Sequence, residues 1–588
     1  TYGGAVISSD NLTIGGNSSF IGNKAEAGGA LFAEGKLTLD TSEGDILFSG
    51  NTATNINEGG ADVYLNNKET AVVIEGDANT LSMDGGFAGV GSIDKNGANT
   101  LIFDQNADNR LFVGDFTQTA GTTLVYADNF FGGKNTVAEG SVLHFAGNAA
   151  VNNLRLQTGG RLDLRRPGPF AANTVTITDL ISDGSAVVVL QTDGTDADLL
   201  KITGSADGMI TIDVRAAGSN PTKKEIEVVN TEEASGNAEF KLAGGKVDIG
   251  AHEYGLTHGE DANWYLKTEG ELTKTAKSVE TMPALHLSIV NAGMNELRKR
   301  LGDLRSGNPD APAGVWVRGY GKRLRVHERT GARLNMLGME GGIDAAAELF
   351  GGRTYLGVMG GYLSANDIRV FQSGAPDAKG HTKTPVAGLY ATWLPHNSPW
   401  FVDLTARHFW VHTDLDNLSG GNRTNGYDIK RGFWAFTAET GRLFDFDAPR
   451  ALNAGSSLIT FEPKIELRYV HGEAKDFTAD NGEIGSIDST SSLVSRFNLQ
   501  TSYLPEGRTS NWKLFLELGL YNEWIGRTKV KFADTRLTTS DLSGLGFEAS
   551  LGFNAAVAEN AYCYGAVTLE AGEAYTSYQL NAGLRVSF

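Results

Sequence analysis

The stretch WKLFLELGLYNEW, Trp512 to Trp524, decides how the second half of the chain is built. Trp512, Leu514, Leu516, Leu518, Leu520 and Trp524 fall on one face of an extended segment. Lys513, Phe515, Glu517, Gly519, Tyr521 and Glu523 fall on the other. Period two is strand spacing. The two tryptophans stand about 40 Å apart along such a strand, or roughly 30 Å in height when it is tilted. That matches two aromatic girdles around the apolar band of a membrane barrel. Phe461 to His471 repeats the theme, with Ile465, Leu467 and Tyr469 opposed to Glu462, Lys464, Glu466 and Arg468. A soluble sheet seldom hides such dense charge on one face of strand after strand, whereas a water-filled bore accepts it.

Working outward, twelve such segments begin near Val315, Asn335, Thr354, His381, Trp400, Gly426, Leu458, Ser491, Trp512, Leu542, Ala561 and Thr576. An even count fits a closed single-chain antiparallel barrel. The final segment, YQLNAGLRVSF, alternates to the last residue, with Tyr578, Leu580, Leu584, Val586 and Phe588 on the apolar face. A barrel's last strand must pair with its first to remove the open edge.

The bulk numbers agree. The chain has 588 residues, 75 Gly and only 13 Pro, which indicates many tight turns between strands. No run of about 18 apolar residues offers a membrane helix, which does not exclude a barrel. A net charge of −20 argues against a nucleic-acid partner. The single cysteine, Cys563, rules out an internal disulfide. The sequence opens at Thr1 within a repeat-like phrase, so we expect a longer precursor.

The first half is repetitive. GGAV (Gly3 to Val6), GGAL (Gly28 to Leu31) and GGAD (Gly59 to Asp62) recur, interleaved with FIGN (Phe20 to Asn23) and FSGN (Phe48 to Asn51). Units of about 25 to 30 residues with short β-type pieces predict a solenoid, most simply a right-handed parallel β-helix. The Phe of each FxxN should stack in the core and its Asn should ladder at a corner. From Leu101 to Lys267 strand-length pieces continue with the repeat degraded. HEYGLTH (His252, Glu253, His258) lacks the zinc-helix spacing, and DLDN (Asp414 to Asn417) lacks the rest of a calcium loop and reads as a solvated loop. The chain contains no GxSxG elbow, P-loop or cysteine-based site, so no enzyme activity, cofactor or metal is expected.

Between the halves the period changes. Met294, Leu297, Leu301 and Leu304 recur at helical spacing, which predicts a helix over Ala292 to Arg305, ended by SGNPDAPAG.

NELRKRLGDLR followed by VWVRGYG, the closing NAGLRVSF, DADLLKITGSADG (Asp196 to Gly208) and FKLAGGKVDIGAHEYGLTHGEDANWYLKT (Phe240 to Thr268) together resemble the type V autotransporters of Gram-negative bacteria. GGA[VL] and FxxN are similar to the polymorphic outer-membrane proteins, though those are cysteine-rich. The resemblance implies an all-β chain: a β-helix passenger (1–190), a pertactin-like autochaperone cap (191–270), a linker with a pore-threading helix (271–313) and a 12-stranded transmembrane barrel (314–588). It implies that the barrel sits in outer-membrane lipid and displays the passenger at the cell surface. Partners would be the barrel-assembly machinery, which would read Tyr578, Leu580, Leu584, Val586 and Phe588, periplasmic chaperones and a host surface or matrix. Glu296, Arg298, Lys299, Arg300, Asp303 and Arg305 would lie on the pore helix, its bases facing lumen acids. Some relatives cleave themselves at an Asn, for which Asn295 and Asn291 are the candidates. The passenger would be an adhesin, or else the stalk of an enzyme encoded upstream of Thr1.

Overall fold

The structure, a computed structural model, describes residues 2–55, 59–217, 223–294, 311–327, 330–371, 378–418, 424–447, 457–533, 535–537 and 541–588. The chain divides into two compact units, one ending at Glu271 and the other beginning at Leu272.

The first unit is a parallel β-helix. Val6–Ser8, Leu31–Ala33, Val63–Leu65 and Phe87–Gly89 pair in parallel on one side. Leu12–Gly15, Leu37–Asp40, Ala71–Glu75 and Ser92–Lys95 do so on a second side. Ser18–Ile21, Ile46–Ser49, Thr80–Met83 and Thr100–Phe103 form the third. One rung cannot bury its own apolar face, so each relies on the next. Leu39, Ile46, Leu65, Ile74 and Leu101 are wholly buried inside the stack. Gly28 turns at φ 60°, and a Cβ on the following Gly29 would meet the Ala61 carbonyl at 2.3 Å. The GGA phrase therefore marks a corner too tight for a side chain.

Phe20 and Phe48 stack at 4.8 Å. Asn51 Oδ1 accepts from the Asn23 backbone N–H (3.0 Å) and side chain (2.9 Å), while Asn51 Nδ2 donates to the Phe20 carbonyl and to Asp62 Oδ1, both at 2.9 Å. The FxxN phrase is thus a ladder of amides that satisfies corner groups left over by the turns. Burial pushes the Asp62 carboxyl up to about 6, against hydrogen bonds from Asn51, Gly85 and Gly86 that lower it.

Toward the end of this unit the pairing changes sense. Thr174–Thr192 and Leu199–Ala216 still run parallel. Glu225–Asn230 then pairs antiparallel with Trp264–Lys267, and Val247–Ile249 with His252–His258. His252 and His258 stand at the two ends of that strand, and Glu253 is ion-paired with Lys246 at 2.8 Å.

The second unit is a twelve-stranded antiparallel barrel. Its strands are β1 (Ala313–Val326), β2 (Gly331–Leu349), β3 (Gly352–Phe371), β4 (Ala378–Pro395), β5 (Trp400–Leu418) and β6 (Thr424–Arg442). They continue as β7 (Leu458–Gly472), β8 (Thr490–Leu504), β9 (Trp512–Glu523), β10 (Gly544–Ala558), β11 (Ala561–Gly572) and β12 (Tyr575–Ser587). β1 pairs with β12 from Gly314↔Ser587 to Val326↔Tyr575, which closes the cylinder. DLDN is not a loop: it lies in β5, where Asn417 is buried and donates to the Asn425 carbonyl at 2.8 Å. One rim carries the tight Leu349 to Gly352 and Ala558 to Ala561 connections; the other, here called the loop end, carries the two longest, Gly472 to Thr490 and Glu523 to Gly544. There Lys475–Thr478, Ile484–Ile487, Val530–Phe532 and Thr535–Leu537 make a separate four-stranded sheet.

Among the described residues one α-helix, α1 (Lys274–Gly293), accompanies the barrel. The described helix ends at Gly293; of the helix expected over Ala292 to Arg305, all but the first three residues lie outside the described residues. Among the described residues no helix is long and apolar enough to cross a membrane.

Candidate functional site: the bore and its helix

The alternation of the wall runs inside out relative to a soluble core. On β9, Trp512, Leu514, Leu516, Leu518 and Leu520 are 44–53% exposed, while Lys513, Glu517 and Glu523 are buried. An exposed leucine row on strand after strand is stable only against another apolar phase. Trp524 lies outward beyond the opposite end of the same strand from Trp512. Tyr578, Leu580, Leu584 and Phe588 are likewise exposed and Val586 half-buried, and the Phe588 backbone exchanges two hydrogen bonds with Ala313 (3.0 and 3.1 Å).

Inside, the charges pair along the wall. Arg318 meets Glu340 at 3.0 Å, Arg468 meets Glu466 at 2.8 Å and Lys322 meets Glu570 at 2.6 Å. Arg496 reaches Glu466 (3.7 Å), Glu570 (3.2 Å) and Glu548. Arg585 clamps Asp344 through two bonds of 2.6 and 2.7 Å, and Lys464 pairs with Glu517. Breaking such a buried pair leaves one charge stranded, so the set holds the wall's register firmly.

α1 is buried on almost every side; of its twenty residues, Lys274, Lys277 and Asn291 alone escape full burial. Thr273 caps its start, Oγ1 accepting from Ala276 N at 3.0 Å. Thr275 Oγ1 accepts from Asn425 (3.2 Å), Ser278 bonds Tyr427 (2.8 Å), and Thr281 donates to the Thr330 carbonyl (3.1 Å). Asn425, Tyr427 and Thr330 all lie at the loop end. Deeper in, His286 bonds Thr413 at 3.1 Å. Arg407 then donates to the Gly293 carbonyl, and Arg468 to those of Met294 (2.9 Å) and Asn291 (3.4 Å). A helix ends on unsatisfied carbonyls and partial negative charge, and two guanidiniums answer both. Gly293 is required at this depth, since a Cβ would meet Phe409 at 2.7 Å.

The helix therefore enters at the loop end and ends part-way down the bore, while β1 begins at the opposite rim. At the end of the described helix, lumen bases meet helix carbonyls; the expected pairing of pore-helix bases with lumen acids falls on residues outside the described ones. Asn295, Glu296, Arg298, Lys299, Arg300, Asp303 and Arg305 lie outside the described residues. Arg407 and Arg468 escaped sequence reasoning, since an inward arginine looks alike whether it meets wall or helix.

The Autotransporter beta-domain family matches residues 315–568 and the Pertactin family residues 151–268. The second unit carries an autotransporter β-domain, and the end of the first carries the pertactin match. It is 27% identical over 501 residues to the autotransporter CRAC of Citrobacter rodentium, covering 79% of this chain and 30% of that one. It is 25% identical over 651 residues to the autotransporter adhesin/invasin TibA of Escherichia coli, covering 94% and 63%. With the BrkA autotransporter of Bordetella pertussis it shares 29% over 377 residues, covering 62% and 35%. The chain thus spans less than two thirds of the length of each of these relatives. In autotransporter terms the second unit is an outer-membrane barrel, and its exposed leucines face lipid.

Proposed function

We propose that this chain exports its own β-helix through its barrel and displays it at the cell surface as an adhesive passenger. The observation that carries the reading is α1: a helix lodged in the bore, its N-terminus at the loop end, with β1 starting at the far rim. Folding outside would bias movement outward, because each added rung buries apolar area without ATP. Residues 191–270, where parallel rungs give way to antiparallel hairpins, would act as the autochaperone cap. Tyr578, Leu580, Leu584, Val586 and Phe588 would present the final strand to the assembly machinery. Protease shaving of intact cells tests display: the rod should be released while residues 314–588 stay protected. A rod that resists shaving on intact cells and yields only after lysis would refute it. Deleting residues 272–313 should raise single-channel conductance, and unchanged conductance would mean that α1 does not plug the bore.

A second reading, single-turnover self-cleavage at Asn291 or Asn295, is favoured at Asn291 by one contact. Arg468 donates to the Asn291 carbonyl, which would draw electron density from the scissile bond, and the buried Asn291 Oδ1 has no partner among the described residues. Intact-mass analysis decides it: a barrel fragment beginning at Ala292 or Glu296 supports cleavage, and a full-length chain after maturation refutes it. The adhesin TibA and the serine protease EspC both match this chain, so an enzyme encoded upstream remains the alternative cargo.

A further inference from the structure

The outward face of the wall changes character near the loop end of β1 to β4. Below it stand Val315 and Val317 on β1, Leu337 and Met339 on β2, and Leu356 and Val358 on β3, all exposed. Above them, Arg325 on β1 lies directly opposite Arg333 on β2. Arg333 lies opposite Arg369 on β3, and Arg369 opposite Lys379 on β4. Four cations on four adjacent strands therefore form one row, about 14 Å long at ordinary strand spacing. Arg325, Arg369 and Lys379 are exposed and Arg333 is half-buried.

Like charges directly opposite one another destabilise a sheet, and among the described residues little relieves these. Arg369 pairs with Asp367 on its own strand at 2.8 Å. Arg325 and Arg333 lie over the Phe371 ring, at 6.0 and 5.9 Å. Among the described residues, Arg325, Arg333 and Lys379 make no ion pair. Asp416, next in register after Lys379, is not within bonding distance of it. Apart from Asp367, the described outward acids enter farther round, with Asp414, Asp416 and Asp428 on β5 and β6, beside His412 and Lys430. Arg323 and Lys383 add exposed positive charge just below the row.

The height of the row identifies what relieves it. From Val315 to Arg325 a strand climbs about 33 Å along its axis, or roughly 25 Å with barrel tilt. That is one apolar band, so the row stands where headgroups of the outer leaflet begin. We propose that Arg325, Arg333, Arg369 and Lys379 bind the phosphate groups of an outer-leaflet lipid carrying more than one phosphate. Guanidinium forks take phosphate oxygens two at a time. The acyl chains of the same molecule would lie on the leucine and methionine surface directly beneath, which no soluble anion would cover. The proposal rests on the barrel's placement in a membrane and not on export of the rod; failure of the shaving experiment leaves it standing.

The test uses the full chain in detergent, titrated with lipid A bearing two phosphates, with dephosphorylated lipid A, and with inorganic phosphate. The quadruple variant Arg325→Gln/Arg333→Gln/Arg369→Gln/Lys379→Gln should bind the bisphosphorylated lipid on the order of a hundredfold more weakly. Lys529→Gln/Lys531→Gln/Arg536→Gln, on the loop sheet and its approach, should bind as the parent does. In detergent alone the quadruple variant should melt at or above the parent temperature, since repulsion has been removed, and the rise that the lipid gives the parent should vanish. Should the full quadruple fail to insert, the pair Arg333→Gln/Lys379→Gln should show a smaller loss in the same direction. Unchanged lipid affinity in either variant overturns the proposal. So does equal binding of inorganic phosphate or of the dephosphorylated lipid by the parent.

Discussion

In the β-helix, Leu101 is wholly buried while Thr100 and Ile102 on either side reach the surface. In β9 the order is reversed, with Glu517 buried and Leu516 and Leu518 exposed. Both strands alternate every two residues, and their backbones differ little. What differs is the phase outside them. In water the apolar row must turn inward against its copies on neighbouring rungs; in lipid it turns outward, and the bore takes the charges. Alternation alone carries no sign. The sign is read from what shares the hidden face, and a hidden face bearing Lys464, Glu466, Arg468, Arg496 and Glu517 needs a solvated or fully paired interior.

That contrast can be broken at its strongest point. Glu517→Leu removes the carboxylate that Lys464 meets in the bore and should cost about 3–5 kcal/mol, read as a fall in the unfolding temperature in detergent. Adding Lys464→Met should restore most of it. A single variant as stable as the parent would show that water, rather than Glu517, satisfies Lys464. Next, the same outward-facing change can be made in both units. Leu516→Arg should cost about 2–4 kcal/mol near the middle of the apolar band and lower the level of inserted barrel. Ile102→Arg should shift the stability of the β-helix by no more than about 0.5 kcal/mol. Equal losses would erase the distinction between a lipid-facing and a water-facing surface.

A third measurement uses pH. Burial holds the carboxyls of Asp62 and Asp198 up at about 6, above the ordinary 3.8. Both are more readily protonated folded than unfolded, so protonation favours the fold. That contribution is complete below about pH 4 and disappears as pH rises through 6, and for each group it amounts to as much as about 3 kcal/mol. From pH 7 to pH 5 the urea midpoint of the β-helix should therefore rise in the parent and rise less in the Asp62→Asn chain. Identical pH profiles would deny Asp62 any part in the response. The smallest expected loss is that of Asn51→Ala, apart from the near-silent Ile102→Arg: it removes one amide of the corner ladder and should cost about 1–2 kcal/mol by proteolysis or urea.

The barrel was legible because its signal is local and repeated. Each of the twelve strands carries its own alternation, and the tryptophans of WKLFLELGLYNEW measure its height. The β-helix was legible through GGA and FxxN, whose glycines and asparagines do the same job at each corner. The position of α1 was not. A helix buried all round has no polar stripe to betray its period; Val279, Met282, Leu285, Leu287, Ile289 and Val290 are all wholly or almost wholly buried. Pro283, one turn after Val279, further argued against it. Thr273 was the available clue, a capping residue ahead of KTAKSVET. The four-stranded sheet at the loop end was missed for a different reason, since its strands are three or four residues long and their pairing joins two separate connections.

The seam between β1 and β12 has a topological effect. Val315 finds its partner in Val586, 271 positions later, so the ring fastens with nearly the last link of the chain. Once fastened, it encircles α1, which belongs to the same continuous thread just ahead of β1. Sideways escape is then closed off, and a segment so enclosed keeps a single degree of freedom, sliding along the axis.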